Sequence, residues 1–504
     1  MSSEIELKLL LPGADPAHIA RLLGQCPALA QAQPSQQWLR NRYYDTPEQL
    51  LRQQRAALRL RQISPRPWHT KRAPPTGHPQ SGDTWWQTLK TAGVSHGGLS
   101  QRGEWECAVA SGELDADALR ATPWAAMDPE GLLFAQLQTC FETRCQRTTW
   151  RVQPVAGSEI EVALDIGEIA AAGQVQPMLE LELELLAGPP QALFDLARQL
   201  GQHVALLPCD VSKAERGYAL AQGQANVPAC ARASHLDAND PPLQVAATVM
   251  SEVFDQLTRN LAGLLQADDP ELAHQARVAW RRWRSACRLF RPWLPAVPPR
   301  QPLRPLFEAL GQLRDLDVAR LDTLPRWGAL FAQDDAQRQA MVATTQAPLA
   351  AATEQQRQQV RHRLHAPESG LAWLEHTVWL HQLHTLAAQA QPGHRHWAQQ
   401  RINKLKRRLH QALRAAQTPS ATPQLWHQAR LQAKHTRYSL ETLNELLPKQ
   451  RTQRWLREAT VLQHRLGQWR DAGQAASLLA SNGAAPEWVA FMQGVAAALQ
   501  PEAP

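Results

Sequence analysis

The sequence predicts an α+β domain built on an eight-stranded antiparallel barrel with flanking helices, followed by an all-α domain of two pseudo-symmetric helical bundles. Three observations carry this. Up to about residue 221, charged and apolar residues alternate with period two in about eight separate segments. Beyond residue 243 the chain is rich in Ala, Leu, Gln and Arg, with apolar positions at helical spacing. The charge is also unevenly shared. Residues 1–234 hold 21 Lys and Arg against 24 Asp and Glu, and residues 235–504 hold 32 against 22, within a net charge of +7. A chain of 504 residues is expected to hold two or three domains. The boundaries are read at 1–221 and 244–504, with 222–243, a mixture of Ala, Pro, Asn and Asp, as a linker.

The strands follow in order. MSSEIELKLL puts Glu4, Glu6 and Lys8 on one face and Ile5, Leu7 and Leu9 on the other. An edge strand with one solvated face reads the same way, so this segment alone leaves both readings open. RNRYYDTP, from Arg40, is a strand running into a turn. ALRLRQI places Arg59 with Arg61, WWQTLKT places Lys90 beside Thr88 and Trp86, and QRGEWECAV aligns Arg102, Glu104 and Glu106. TRCQRTTWRV carries Arg144 and Arg147, whose parities differ, so only one of them can share the charged face. EIEVALDIGEI aligns Glu159, Glu161 and Asp165; MLELELELL aligns Glu180, Glu182 and Glu184 against four leucines.

Carboxylates at i, i+2 and i+4 of a strand lie about 7 Å apart per step and repel unless a cation, water or a facing basic group compensates. Basic faces exist on other strands. A closed barrel with charged faces inward and apolar faces outward reconciles the two and removes the sheet edges. Helices near 15–24, 113–120 and 190–201 are expected to cover the apolar exterior. A lumen lined by both signs suits a metal–polyphosphate, because carboxylates take Mg²⁺ or Mn²⁺ and Arg or Lys take phosphate oxygens. Residues 62–84 are proline-rich and read as an insert between two strands, which makes Lys71 a weaker rival to Lys90.

The ordered set of Glu4-Ile5-Glu6-Leu7-Lys8, YYDTP, ALRLR, TLK, RGEWE, ELELE and SKAERGY resembles the CYTH superfamily of triphosphate tunnel metalloenzymes over roughly residues 1–220. The resemblance implies divalent metal held by Glu4, Glu6, Glu180 and Glu182. It implies phosphate gripped by Arg59, Arg61, Lys90, Arg147 and Lys213, with Lys8 also contacting phosphate. Glu106 would orient water or neighbouring groups, and Asp165 would bind metal or anchor an arginine. Hydrolysis of a terminal phosphoanhydride needs charge neutralisation, in-line positioning and an activated water, which such a lumen could supply. The chain has no Walker A loop, kinase glycine loop or evident covalent nucleophile.

In the helical half two segments repeat. HQARVAWRRWRSACRLF carries His274, Arg277, Arg281 and Arg284, extended by Arg288; HQARLQAKHTRYSLETL carries His427, Arg430, Lys434 and Arg437. Both sets are spaced +3, +4, +3, one helix face. LGQLRDLD (310–317) is echoed by LGQWRDAG (466–473), so an internal duplication is expected. Arg277, Arg281, Arg284 and Arg288 have no acidic residue four positions away, so a bound anion is the natural compensator. RINKLKRRLHQAL adds Lys404 and Arg408 to the candidate surface. A histidine metal site lacks Cys and carboxylates at ligand spacing. Trp and Tyr sit at core phase, which disfavours base stacking and hence nucleic acid.

These motifs resemble the CHAD domain over roughly 240–500, which implies a helical domain whose basic cleft binds inorganic polyphosphate. The expectation for the whole chain is a metal-dependent inorganic triphosphatase that hydrolyses tripolyphosphate, with the helical domain holding polyphosphate, in solution or on granules. The rivals are a polyphosphate-granule-binding protein with little or no catalysis, a thiamine or nucleoside triphosphatase, and an adenylate cyclase, for which no stretch is assigned to base recognition. Seven scattered cysteines without CxxC, the lack of an apolar run of about 18 residues, and an acidic start that enters a strand at once point to a cytoplasmic protein that no membrane holds.

Overall fold

A computed structural model describes residues 2–13, 15–67, 82–237, 239–391, 396–418 and 422–500. Lys71 lies outside the described residues. Contacts divide the chain into two compact units, Met1–Val227 with His365–His381, and Pro228–Leu364 with Gln382–Pro504.

The first unit holds β1 (Ser2–Leu10), β2 (Ser35–Asp45), β3 (Ala57–Ser64), β4 (Thr84–Lys90), β5 (Val94–His96), β6 (Leu99–Val109), β7 (Gln138–Val152), β8 (Glu159–Ala171), β9 (Gln174–Ala187) and β10 (Leu207–Pro208). Its helices are α1 (Pro16–Gly24), α2 (Leu50–Gln53), α3 (Ala116–Leu119), α4 (Trp124–Met127), α5 (Gln191–Leu200) and α6 (Lys213–Ala221). Eight antiparallel strands run β1-β9-β8-β7-β2-β3-β4-β6, and β6 pairs again with β1 to close the barrel. The short β5 and β10 are additions too brief for a period-two pattern to reveal. β8 turns into β9 through Ala172 (φ 49°) and Gly173 (φ 77°), a two-residue loop with both residues left-handed, whose twist suits a tight hairpin.

Register decides which faces meet. Lys8 lies opposite Glu182, Glu4 opposite Arg102, Lys90 opposite Glu104, Arg59 opposite Thr88, and Asp165 opposite both Arg147 and Glu180. Paired residues share a face, so these charged residues point into the barrel, whereas Arg40 and Arg42 of β2, opposite Gln62 and Leu60, point outward with Glu142 and Arg144. The opposite parity carries Leu7, Leu9, Ile160, Val162, Leu164, Leu181 and Leu183, all buried in one outer core with Ile19 and Leu23 of α1 and Leu193, Phe194 and Leu196 of α5. Each such Leu or Phe is worth about 1.5–3 kcal/mol on burial, which is what lets the barrel keep a charged interior. Leu374 and Val378, distant in sequence, complete that core.

The inward parity turns apolar in one region. Leu39, Tyr43, Phe141, Cys145, Ile169 and Met178 pack with Tyr218 and Leu220 of α6. A Cβ on Gly217 would fall 2.1 Å from the Phe141 ring, so α6 can approach only with glycine there. The Tyr218 hydroxyl donates to Asp45 Oδ2 at 2.7 Å, and Asp45 also accepts from the backbone N–H of Thr46, Leu51 and Arg52. YYDTP and SKAERGY are thereby joined as one structural lock.

The second unit is all helical: α7 (Pro242–Leu264), α8 (Pro270–Leu289), α9 (Arg304–Val318), α10 (Leu324–Ala332), α11 (Ala336–Thr344), α12 (Gln346–Leu364), the end of α13 (Pro367–Ala388), α14 (Trp397–Ala416), α15 (Pro423–Thr442), α16 (Lys449–Ser481) and α17 (Pro486–Ala498). α8 and α15 carry the repeated segments, and each opens on a proline four residues before its histidine. α8 packs on α7, α9 and α15; α15 packs on α14, α16 and α8. Trp280, Trp283 and Phe290 are buried along α8, as are Leu440 and Leu443 along α15 and beyond its end. Among the described residues no helix is long and apolar enough to cross a membrane.

Candidate active site

Inside the barrel the charges interleave. Asp165, Glu180 and Glu182 each offer an oxygen within 4.8 Å of the others, a spacing that fits a metal ion. Lys213, the first residue of α6, reaches all three, with Nζ 2.8 Å from Asp165, 2.5 Å from Glu180 and 2.7 Å from Glu182. Arg147 grips Asp165 through two hydrogen bonds of 2.7 and 2.6 Å and Glu182 through a third of 2.7 Å. Burial would raise the Asp165 carboxyl, but Arg147 and Lys213 outweigh it and hold it at about 2. Glu182 is held well below the usual range against the same burial by Lys213, Arg147 and Lys8. Arg216 adds an ion pair of 3.1 Å to Glu180.

Glu4 and Glu6 form a neighbouring group. Arg102 donates to Glu4 at 3.1 Å and to Glu6 at 3.2 Å; Lys90 pairs with Glu4 and, at 2.8 Å, with Glu104; Lys8 pairs with Glu6 at 3.2 Å. Glu184 faces the same space. Burial pushes its carboxyl up to about 7, and Glu4, Glu104 and Glu161 add to the shift. A divalent cation would relieve such crowding, but among the described residues only Asp165, Glu180 and Glu182 bring three carboxylate oxygens to metal-binding spacing.

The basic residues divide by partner. Arg59 sits 3.4 Å from Glu104 and from Glu106, and Thr88 donates to Glu106 at 2.8 Å. Arg61 has no carboxylate ion pair among the described residues; its Nε donates to the Asn41 side chain at 2.9 Å. Burial, with Arg59 and Arg147, lowers Arg61 to about 10, still protonated at neutral pH. Arg147 is the inward arginine; Arg144 is half exposed and pairs with Glu142 and Glu168.

Thus Lys8, Arg59, Arg61, Lys90, Glu106, Arg147, Asp165 and Lys213 all face one lumen. Glu180 and Glu182 converge with Asp165, while Glu4 and Glu6 converge on Arg102. The sequence counts Arg102 among the basic faces and leaves Glu104 and Glu184 as outer residues or salt-bridge partners; it does not single out Asn41, which shares its strand face with Leu39 and Tyr43.

A basic cluster occupies the helical unit. The guanidiniums of Arg277 and Arg430 are each lowered to about 10, by burial first and then by arginines: Arg281, Arg470 and Arg314 for Arg277, Arg470 and Arg281 for Arg430. The Lys434 amine is pushed down to about 6 by burial, Arg281, Arg430 and Arg470. His274 and His427 are lowered likewise by burial and by neighbouring arginines. Arg470 donates to Asp315 at 2.7 and 3.0 Å, tying α16 to α9. His274, Arg277, Arg281, His427, Arg430 and Lys434 therefore converge, together with Arg314 and Arg470, which sequence reading missed although both stand in the repeated LGQxRD marker. Arg284 and Arg288 group with Arg300, and Arg408 lies near His435 and Arg401. Arg437 is taken up by Glu441 at 2.8 Å and Gln463 at 2.9 Å. Lys404 is exposed, and Arg401 donates to the carbonyls of Arg288 and Leu289 at the end of α8.

Residues 2–218 match the family model of the CYTH domain and residues 248–480 that of the CHAD domain. The chain is 33% identical over 226 residues to the inorganic triphosphatase of Haemophilus influenzae, covering 44% of this chain and 56% of that protein, so it spans little more than half the length of this curated relative. Among solved structures it is similar to the CHAD domain from the plant Ricinus communis (26% identity, TM-score 0.47, 54% of this chain and 91% of that one). It is also similar to a Hippeastrum adenylyl cyclase candidate with a dominant triphosphatase activity (20% identity, TM-score 0.30, 45% of this chain and 98% of that one).

Proposed function

We propose that this chain, a CYTH domain joined to a CHAD domain, is a metal-dependent inorganic triphosphatase that cleaves tripolyphosphate to diphosphate and phosphate. The observation that carries the reading is the closed lumen, in which Asp165, Glu180 and Glu182 bring oxygens within 4.8 Å of one another while Arg61, among the described residues, has no carboxylate at ion-pair distance. Glu180, Glu182 and Asp165, with Glu4 and Glu6, would hold Mg²⁺ or Mn²⁺. When bound, the ion neutralises phosphate oxygens and polarises water. Arg61 and Arg59 bind phosphate oxygens, and Lys8, Lys90, Arg147 and Lys213, now paired with carboxylates, would share that load if those carboxylates held the ion. Glu106, held by Thr88 and Arg59, would orient the attacking water. No covalent enzyme intermediate is required.

The CHAD domain binds inorganic polyphosphate through His274, Arg277, Arg281, His427, Arg430 and Lys434, helped by Arg314 and Arg470. Held polymer raises the local concentration of polyanion or docks the enzyme on granules in the cytoplasm. An organic triphosphate is the second reading. Trp86 lies opposite Arg61 on the same face, an aromatic surface for a base or thiazole ring.

Phosphate release from tripolyphosphate, thiamine triphosphate, ATP and long polyphosphate, each with Mg²⁺ and Mn²⁺, tests the assignment. Preference for tripolyphosphate that vanishes in E4A/E6A is expected. Preference for an organic triphosphate would change the substrate, and polyphosphate binding without release from any of them would leave a binding protein.

A further inference from the structure

Among the described residues, every inward cation of the lumen except Arg61 is paired with acid. Lys8, Arg59, Lys90, Arg102, Arg147 and Lys213 each have a carboxylate at ion-pair distance. Arg61 meets instead a neutral amide. Asn41 lies opposite Arg61 in the β2–β3 register and opposite Thr143 in the β2–β7 register. It is 2% exposed and Thr143 is fully buried. Asn41 Oδ1 accepts from Arg61 Nε at 2.9 Å, and Asn41 Nδ2 donates to Thr143 Oγ1 at 2.8 Å. The amide is therefore held from both sides. It fixes one edge of the guanidinium and leaves the rest without a competing acid, Glu106 being close enough to act only through space.

We propose that Asn41 is a positioning residue that orients Arg61 without neutralising it, so that Arg61 is the cation kept free for the triphosphate. The physical reason is competition. A carboxylate in that place would orient the guanidinium equally well but would satisfy its charge, and an incoming phosphate would have to displace it. A neutral acceptor avoids that cost. Thr143 can serve either residue, because its hydroxyl turns from acceptor to donor. Asn41→Asp is thus nearly isosteric, keeps both contacts and alters only the charge.

The inference rests on the triphosphatase reading and is tested on the full chain. N41D, N41A and wild type are compared by thermal denaturation, by KM and kcat for tripolyphosphate with Mg²⁺ or Mn²⁺, and by tripolyphosphate affinity in a calorimeter. N41D is expected to melt no lower than wild type while KM rises on the order of ten-fold or more and kcat changes far less. N41A should raise KM by a smaller factor, since Arg61 loses its guide but not its charge; it carries the test if N41D does not fold. A residue with a purely packing role would lower the melting temperature of N41A and leave KM alone. If wild type turns over tripolyphosphate and N41D keeps KM and affinity within about two-fold, the inference fails and the enzyme reading stands. If wild type neither binds nor cleaves tripolyphosphate, the reading itself fails, and the role of Asn41 with it.

Discussion

At the scale of single residues, the same barrel face pushes carboxyl groups in opposite directions, and the signs can be read. Asp165 is held at about 2 against its ordinary 3.8, so its ionisation stabilises the fold above the unfolded value and that contribution is lost as pH falls through about 4 to 2. Glu184 is raised to about 7 from 4.5, so the folded state keeps a proton that the unfolded chain has released, and stability falls as pH rises between those values. In metal-free buffer Glu184→Gln should therefore raise the melting temperature at pH 8 and leave it nearly unchanged at pH 4; equal shifts at both would count against the crowding of Glu4, Glu104 and Glu161. Lys434, lowered to about 6, gives a third sign. An anion bound beside it returns its proton, so polyphosphate binding above pH 6 should take up a proton and weaken as pH rises. Calorimetry in two buffers of different ionisation enthalpy reads that uptake, and Lys434→Met should reduce it, leaving the share of His274 and His427. None of these shifts was legible in the sequence, where Glu184 and Lys434 look like their neighbours. A shift comes from burial and from charges on other strands or helices, and pairing register is a tertiary fact.

At the scale of elements much more was legible. Alternation of charge with leucine in MLELELELL can be satisfied only if one face is buried and the other meets compensating charge, which restricts the strand to a lined barrel. The strand set is accordingly as expected, and the covering helices fall at Pro16–Gly24, Ala116–Leu119 and Gln191–Leu200. The apolar region where α6 meets the barrel was not legible. Leu39, Tyr43, Phe141 and Cys145 share the inward face with Arg59, Arg61 and Arg147, and only the approach of α6 explains why apolar groups stand there. This region yields a clean test. Gly217→Ala must displace the Phe141 ring, and overpacking of this kind costs about 1–3 kcal/mol. Tyr218→Phe removes the donor to Asp45 and should cost about 1 kcal/mol, because Asp45 keeps its backbone donors. Urea denaturation measures both; a G217A chain as stable as wild type would mean that α6 does not seat on Phe141.

At the scale of the whole molecule, the two halves differ in charge as they differ in fold, and one segment departs from that division. His365–His381 lies in the helical half of the sequence but belongs to the first unit. Leu374 and Val378 enter the core beneath β1, β8 and β9, Glu375 pairs with Arg198 at 2.7 Å, and the Thr377 hydroxyl donates to the Gly97 carbonyl at 2.8 Å. A fragment ending at Val227 should therefore expose that core and melt below the full chain, by an amount that a longer fragment through His381 recovers. Sequence periodicity could not assign this segment, because an apolar helix face does not name what covers it. On the proposed function, hydrolysis belongs to the acid triad of the lumen and polyanion holding to the helical cluster. The rate of phosphate release from tripolyphosphate, alongside affinity for long polyphosphate, in the full-length E180Q/E182Q and R277A/R430A chains separates the two. Release should be lost with affinity retained in the first, and retained with affinity lost in the second. Release by E180Q/E182Q at the wild-type rate would overturn the division.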